Sequence, residues 1–193
     1  MSIRKITICV LFLACLSSTA MSAKGFLVNK SREKGYSANV EIGGTFIDSF
    51  GFRPELLTSH GYSFGNGLYV GGGIGLGYES WEIRNRNNRI FLPFFADVKY
   101  SFLKRAVSPF VSMKAGGMLD CSGLGIGYML MPSIGVDLWR FSLSVGYQNY
   151  SCSYNVLRYE TVVPVSGEPL SSVGLGSARF GGSGIKIGLS YTF

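Results

Sequence analysis

His60 is the single histidine of this 193-residue chain and therefore the first residue to test for catalytic chemistry. In an extended segment successive side chains alternate between two faces, which puts His60 with Leu56, Thr58, Tyr62 and Phe64 and opposite Ser59 and Ser63. Nucleophilic catalysis needs a hydroxyl or thiol within hydrogen-bond reach of the imidazole and a third group to orient the ring. The residue two along on the same face is Tyr62, and both nearby serines have the opposite parity, so no catalytic residue is assigned. Of the four cysteines, Cys9 and Cys15 belong to the N-terminal leader described below, leaving Cys121 and Cys152. These fall in segments expected to be neighbouring loops, where an exported protein could join them as a disulfide or leave them as thiols. No His or carboxylate cluster accompanies them, so no metal site is expected. The run from Gly71 to Gly77 lacks the GxGxxG spacing and is followed by no Gly-Lys-Ser/Thr, which makes it a glycine-lined strand rather than a nucleotide loop. No cofactor is implied.

The charged residues carry more information. Glu41, Glu79, Asp97, Lys99, Lys114, Asp137, Arg140 and Lys186 all sit in period-two stretches, each on the parity opposite the apolar residues of its own stretch. Four are acidic and four basic, so a face made of them can neutralise itself by pairing. Gathered inside a narrow barrel they would form either a selectivity constriction or a salt-bridged plug. Eight strands leave an interior just wide enough for side chains to fill, which favours the plug.

The elements that hold these residues are read from the same alternation. Period-two stretches run over Tyr36 to Phe46, Leu56 to Phe64, Leu68 to Glu79, Ile90 to Phe102, Pro109 to Gly117, Tyr128 to Asp137, Arg140 to Gln148 and Gly184 to Phe193. The last is the clearest. Ile185, Ile187, Leu189, Tyr191 and Phe193 share one face, and Gly184, Lys186, Gly188, Ser190 and Thr192 the other, as expected where lipid lies outside and a narrow polar space inside. A charge facing the bilayer midplane would cost a few kcal/mol, which gives the segregation its physical cause.

Composition and the N-terminus agree. Arg4 and Lys5, the apolar run from Ile6 to Leu16 and the small residues Ser17 to Ala20 have the layout of a secretory signal over residues 1–23, with cleavage after Ala20, Ser22 or Ala23 left open. A lipoprotein-type cleavage before Cys15 fits less well, because Phe12 stands where a smaller aliphatic residue is usual. Residues 24–34 would then lead into a barrel domain over 35–193. The chain has 27 Gly, 14 Phe and 11 Tyr, only 15% charged residues and a mean hydropathy of +0.26, unlike a disordered chain or a charged soluble domain. No apolar stretch after residue 23 has the length of a membrane helix, and backbone groups in lipid can be satisfied only by helices or closed barrels. The net charge of +7 falls to about +5 without Arg4 and Lys5, and no basic helix or aromatic-basic platform accompanies it, so nucleic acid is not an expected partner.

The connections between the stretches alternate long and short, with Gly65-Asn66-Gly67 and Leu138-Trp139 as tight turns. Outer-membrane barrels have short periplasmic turns and longer outer loops, which would put both termini in the periplasm. Tyr36, Phe64, Tyr100, Phe102, Trp139, Phe141, Tyr191 and Phe193 cluster at the short-turn ends as an interfacial girdle. The longest connection, residues 149–183, is expected to be an outer loop and a place for an extracellular ligand. A soluble eight-stranded carrier would turn the same pattern inside out. It would then expose the glycines and eight charges on a sheet that normally carries far more charge.

The run His60-Gly61-Tyr62-Ser63-Phe64, then Tyr69 to Gly75, Leu92 to Tyr100, Ser108 to Val111 and Pro132 to Val136, resembles the small bacterial outer-membrane β-barrel family. Its layout over residues 35–193 is similar to that of the transmembrane domain of outer-membrane protein A. The resemblance implies an all-β, eight-stranded antiparallel, up-and-down transmembrane barrel in a Gram-negative cell envelope. Tyr191 and Phe193 would form part of the signal read by the barrel-assembly machinery. Outer-membrane lipid and lipopolysaccharide would surround it. The expected function is structural or surface-interacting and non-enzymatic. The alternatives are a porin-like or lateral passage for small solutes, and a lipid-modifying enzyme built on His60.

Overall fold

The computed structural model describes residues 33–47, 51–79, 88–122, 125–162 and 170–193; the expected signal peptide and most of the segment after it lie outside these. Eight strands follow in chain order: β1 Gly35–Ile47, β2 Gly51–Ser63, β3 Leu68–Glu79, β4 Arg89–Ser101, β5 Val107–Asp120, β6 Gly125–Leu138, β7 Phe141–Val162 and β8 Leu170–Thr192. Each pairs antiparallel with the next, and β8 returns to β1 from Gly184↔Ile47 to Thr192↔Asn39, so the sheet closes with no free edge along the wall. Closure satisfies the backbone of every wall strand without help from solvent.

The turns at the end that carries both termini are built by local chemistry. Gly65 and Gly67 adopt positive φ, and the Asn66 side chain accepts a hydrogen bond of 3.0 Å from the Leu68 amide. Between β6 and β7, Trp139 takes the left-handed conformation with φ 62°, a costly one for a bulky residue, directly inside the Leu138↔Phe141 pair. Its ring lies 5.2 Å from the Arg140 guanidinium.

Alternation decides which side chains enter the lumen. Along β4, Phe91, Pro93, Phe95, Asp97, Lys99 and Ser101 are buried while Ile90, Leu92, Phe94, Val98 and Tyr100 are exposed. The same division runs around the wall: Ile42, Ile74, Ile134, Val145 and Ile185, from five strands, are each more than half exposed on the outside. Inside, Leu57, Phe91, Phe95, Met118, Met129, Met131 and Tyr150 are almost fully buried and pack with the polar groups.

Two expectations about connections change. Strand β2 starts at Gly51 and not at Leu56, because the alternation runs straight through Pro54, which sits opposite Gly44. Residues 149–183, expected as a loop, are mostly strand. β7 and β8 continue pairing from Asn149↔Ser183 to Val162↔Leu170, leaving 163–169 between them outside the described residues. With these extensions the separations between strands no longer alternate cleanly between long and short.

Candidate functional site

The interior is built from the inward rows of all eight strands, and its polar groups pair across the lumen. Lys114 on β5 places Nζ 2.6 Å from Glu41 Oε2 on β1, the strand diametrically opposite. The other Glu41 oxygen lies 2.9 Å from Lys186 Nζ on β8, and Lys186 also reaches Glu55 Oε2 on β2 at 3.1 Å. Glu55 in turn holds Arg53 at 2.7 Å and accepts a hydrogen bond of 2.9 Å from Gln148 Nε2. The result is a continuous ladder, Lys114–Glu41–Lys186–Glu55–Arg53, in which each carboxylate meets two cations. A shared, hydrogen-bonded arrangement of this kind offsets the desolvation that isolated buried charges suffer.

Above the ladder, away from the termini, the Arg53 guanidinium lies 4.1 Å from the centre of the Tyr150 ring and 5.4 Å from that of Phe91. Tyr150 donates to Glu79 Oε2 at 3.1 Å, and Arg53 comes within 3.9 Å of the same oxygen. Higher still, Arg89 pairs with Asp120 at 3.2 Å, donates to Tyr154 Oη at 2.6 Å and stacks 4.2 Å from Phe180, while Tyr154 itself donates to Asp120. Contacts from β2, β3 and β4 to β7 thus cross the lumen at two heights, and Arg53, Tyr150 and Gln148 are essentially without exposure.

Nearer the termini, Lys99 holds Asp137 at 2.5 Å and stands 4.0 Å from the centre of the Phe110 ring; Asp137 also accepts from Ser101 at 2.7 Å and Ser142 at 2.6 Å. Between this group and the ladder lies a small space lined by Asn39, Ser59, Asp97, Ser112 and Lys114 together with Leu57, Phe95 and Phe110. Asp97 is buried there, and its Oδ1 has no hydrogen-bond partner among the described residues.

Of the eight charges singled out from the sequence, Glu41, Glu79, Asp97, Lys99, Lys114, Asp137 and Lys186 lie in the lumen, and Asp97 alone of them enters no ion pair among the described residues. Arg140 is a correction. It sits in the β6–β7 turn and donates to Tyr191 Oη at 3.2 Å, so it belongs to the rim and not the interior. Sequence reading missed Arg53, Glu55, Arg89 and Asp120, which lie beyond the ends of the assigned stretches. The signal was present as Phe52 and Leu56 flanking Arg53 and Glu55 with matching parity, but Pro54 disfavours strand and hid it.

Cys121 and Cys152 are not joined. Cys121 is exposed at the turn after β5, whereas Cys152 points into the lumen and is completely buried, so the neighbouring strand ends do not bring the two thiols to a common face. Tyr191 and Phe193 stack edge-on at 4.9 Å, Tyr191 meets Phe141 at 5.1 Å, and the Phe193 amide donates to the Ala38 carbonyl at 2.9 Å. The last residue is therefore pinned to the first strand.

On the outer wall His60 is not isolated. Tyr36 Oη lies 2.6 Å from its Nδ1, and Thr58 Oγ1 lies 3.2 Å from its Nε2. The Tyr36 and His60 rings stack at 6.2 Å. Thr58 precedes His60 by two residues on the same face, the direction that the sequence reading did not weigh.

No protein-family model matches the chain, and no curated protein matches it at a significant level. Among solved structures, it is similar to a major outer membrane protein from Thermus thermophilus. The match has 16% identity and a TM-score of 0.34, and covers 82% of this chain and 99% of the other. At that score the likeness carries no argument, and the architecture rests on the closed register of the eight strands themselves.

Proposed function

We propose that the protein is an integral outer-membrane β-barrel with a closed lumen, acting as a structural and surface-interaction element of the cell envelope. One observation carries the reading. The wall exposes a continuous apolar belt while the ion pairs are turned inward, the reverse of a soluble barrel. Ile74 and Ile134 are 64% and 65% exposed, whereas Glu41 and Lys186 are 7% and 5% exposed. Hydrocarbon is the surroundings that such a surface suits, and an exported barrel reaches it in the outer membrane.

The interaction role is supported by the β7–β8 ribbon. β7 pairs with β6 as far as Ser153, and β8 pairs with β1 only from Gly184 onward. Beyond that level residues 155–162 and 170–177 pair only with one another among the described residues, and their outer backbone edges are available for strand addition by a partner. Heat-modifiable migration on gels tests the membrane barrel: the unboiled protein, extracted from the outer-membrane fraction, should run apart from the boiled one. A soluble periplasmic species lacking that shift would refute the reading. Protease treatment of intact cells should remove the ribbon and leave the barrel, showing which end faces outward.

A further inference from the structure

We propose that Thr58, His60 and Tyr36 form a site on the outer wall that hydrolyses acyl esters of glycerophospholipids in the membrane leaflet beside the chain termini. The proposal rests on the membrane reading above and goes beyond it in assigning an activity.

The arrangement has the parts that acyl transfer needs. With its proton on Nδ1, His60 donates to Tyr36 Oη at 2.6 Å and leaves Nε2 to accept the Thr58 hydroxyl at 3.2 Å. Thr58 is then the nucleophile, His60 the base and Tyr36 the positioning residue. Burial does not explain the array, since His60 and Tyr36 are both exposed, Tyr36 to 71%. Exposed polar groups on an otherwise apolar wall suit the level of the lipid esters, which offers them a polar counterpart.

Depth fits that counterpart. His60 lies three residues from the end of β2 at Ser63, about 10 Å along the strand and roughly 7 Å into the membrane at a usual tilt. With the termini on the periplasmic side, the orientation expected from the tight turns at that end, the acyl esters at that level are those of phospholipids and not of outer-leaflet glycolipid. Space is available as well. The ladder neighbours of His60 are Ala38 and Gly72, and Gly72 in turn pairs with Ala96. A Cβ built at Gly72 would meet only the Phe95 carbonyl oxygen, at 3.7 Å, so the wall is low on the Gly72–Ala96 side of the imidazole, while Ala38 on the other side is covered.

The chemistry balances with water as the sole co-reactant. Thr58 Oγ1 adds to the ester carbonyl carbon as its proton passes to His60 Nε2. Collapse breaks the bond to the glycerol oxygen, which takes the proton from Nε2. Water, deprotonated by the same nitrogen, then adds to the Thr58 acyl ester, releasing fatty acid and restoring the hydroxyl. Strand amides here are engaged in the ladder, so no backbone pair stabilises the oxyanion, and turnover should be slower than that of a complete site by roughly 10²–10³.

The full chain, folded into phosphatidylethanolamine vesicles, should release fatty acid measurable by mass spectrometry, with an acyl adduct mapping to Thr58. Thr58→Val and His60→Phe should each lower release about 100-fold, while Thr58→Ser keeps it. Tyr36→Phe should lower kcat about tenfold with KM unchanged, a split that loss of a purely structural contact would not give. Heat-modifiable migration of each variant, scored in parallel, separates a failed barrel from a failed site. Release no faster than from protein-free vesicles, equal release by folded Thr58→Val, or release only from lipopolysaccharide vesicles would each overturn the proposal.

Discussion

Lys114 and Glu41 face each other from diametrically opposite strands and meet at 2.6 Å, so one ion pair spans the barrel. Such a contact ties β5 to β1 across the lumen, which the hydrogen-bonded ladder alone cannot do. The lumen is thereby occupied by side chains at that level. Planar-bilayer recordings of the wild-type protein should show no steady conductance; a stable, salt-dependent current at low voltage would contradict the closed interior.

Removing one partner of a buried pair leaves its mate uncompensated. Asp137→Ala removes the one carboxylate in ion-pair contact with Lys99 among the described residues, leaving it Ser142 at 3.2 Å and the Phe110 face, and should cost about 3–5 kcal/mol. Lys99→Met combined with Asp137→Leu should cost less than Asp137→Ala alone. Denaturant unfolding of the three proteins in the same lipid or detergent measures the difference, and a double variant less stable than Asp137→Ala would contradict a coupled pair.

Ile74 stands near the middle of β3 on the outer wall and is 64% exposed. In lipid, Ile74→Lys should destabilise the folded barrel by about 2–4 kcal/mol, as a cation near the bilayer midplane does. In a water-facing sheet the same change would be almost neutral. Folding yield and unfolding free energy in vesicles distinguish the two surroundings.

Gly61 occupies an inward position of β2 where a Cβ would run into the Val70 carbonyl and the Gly71 Cα. Beside the facing Gly71 the space is filled by Tyr69, which is buried and donates to Ser59 at 3.2 Å. Gly61→Ala should therefore cost about 1–3 kcal/mol through overpacking, measured by the same unfolding titration.

The two thiols should differ in access and not depend on each other. Alkylation of the folded protein should label Cys121 alone, with Cys152 reacting only after unfolding, and reductant should leave the labelled mass unchanged. A reductant-dependent gain of label would show that the two are joined.

Local alternation was enough to reveal the strand character, the number of strands and which face of each strand carries charge. A two-residue period is local, and a slip of one residue would move every apolar side chain to the wrong side. Seven of the eight charges read from parity do lie inside. Pairing across the lumen was beyond its reach. That Lys186 serves both Glu41 and Glu55, or that Arg53 lies over Tyr150, depends on how strands far apart in the chain are brought opposite one another when the sheet closes. Arg140 shows the same limit from the other side, because parity was right while its height, at the turn, was not visible. The β7–β8 ribbon was hidden because Gly, Ser and Pro in residues 149–183 read locally as loop, whereas strand pairing there is supplied by the partner strand. Thr58 beside His60 was legible as same-face neighbours, but only side-chain placement decided that hydroxyl, imidazole and the Tyr36 phenol from the adjoining strand meet in one hydrogen-bonded line.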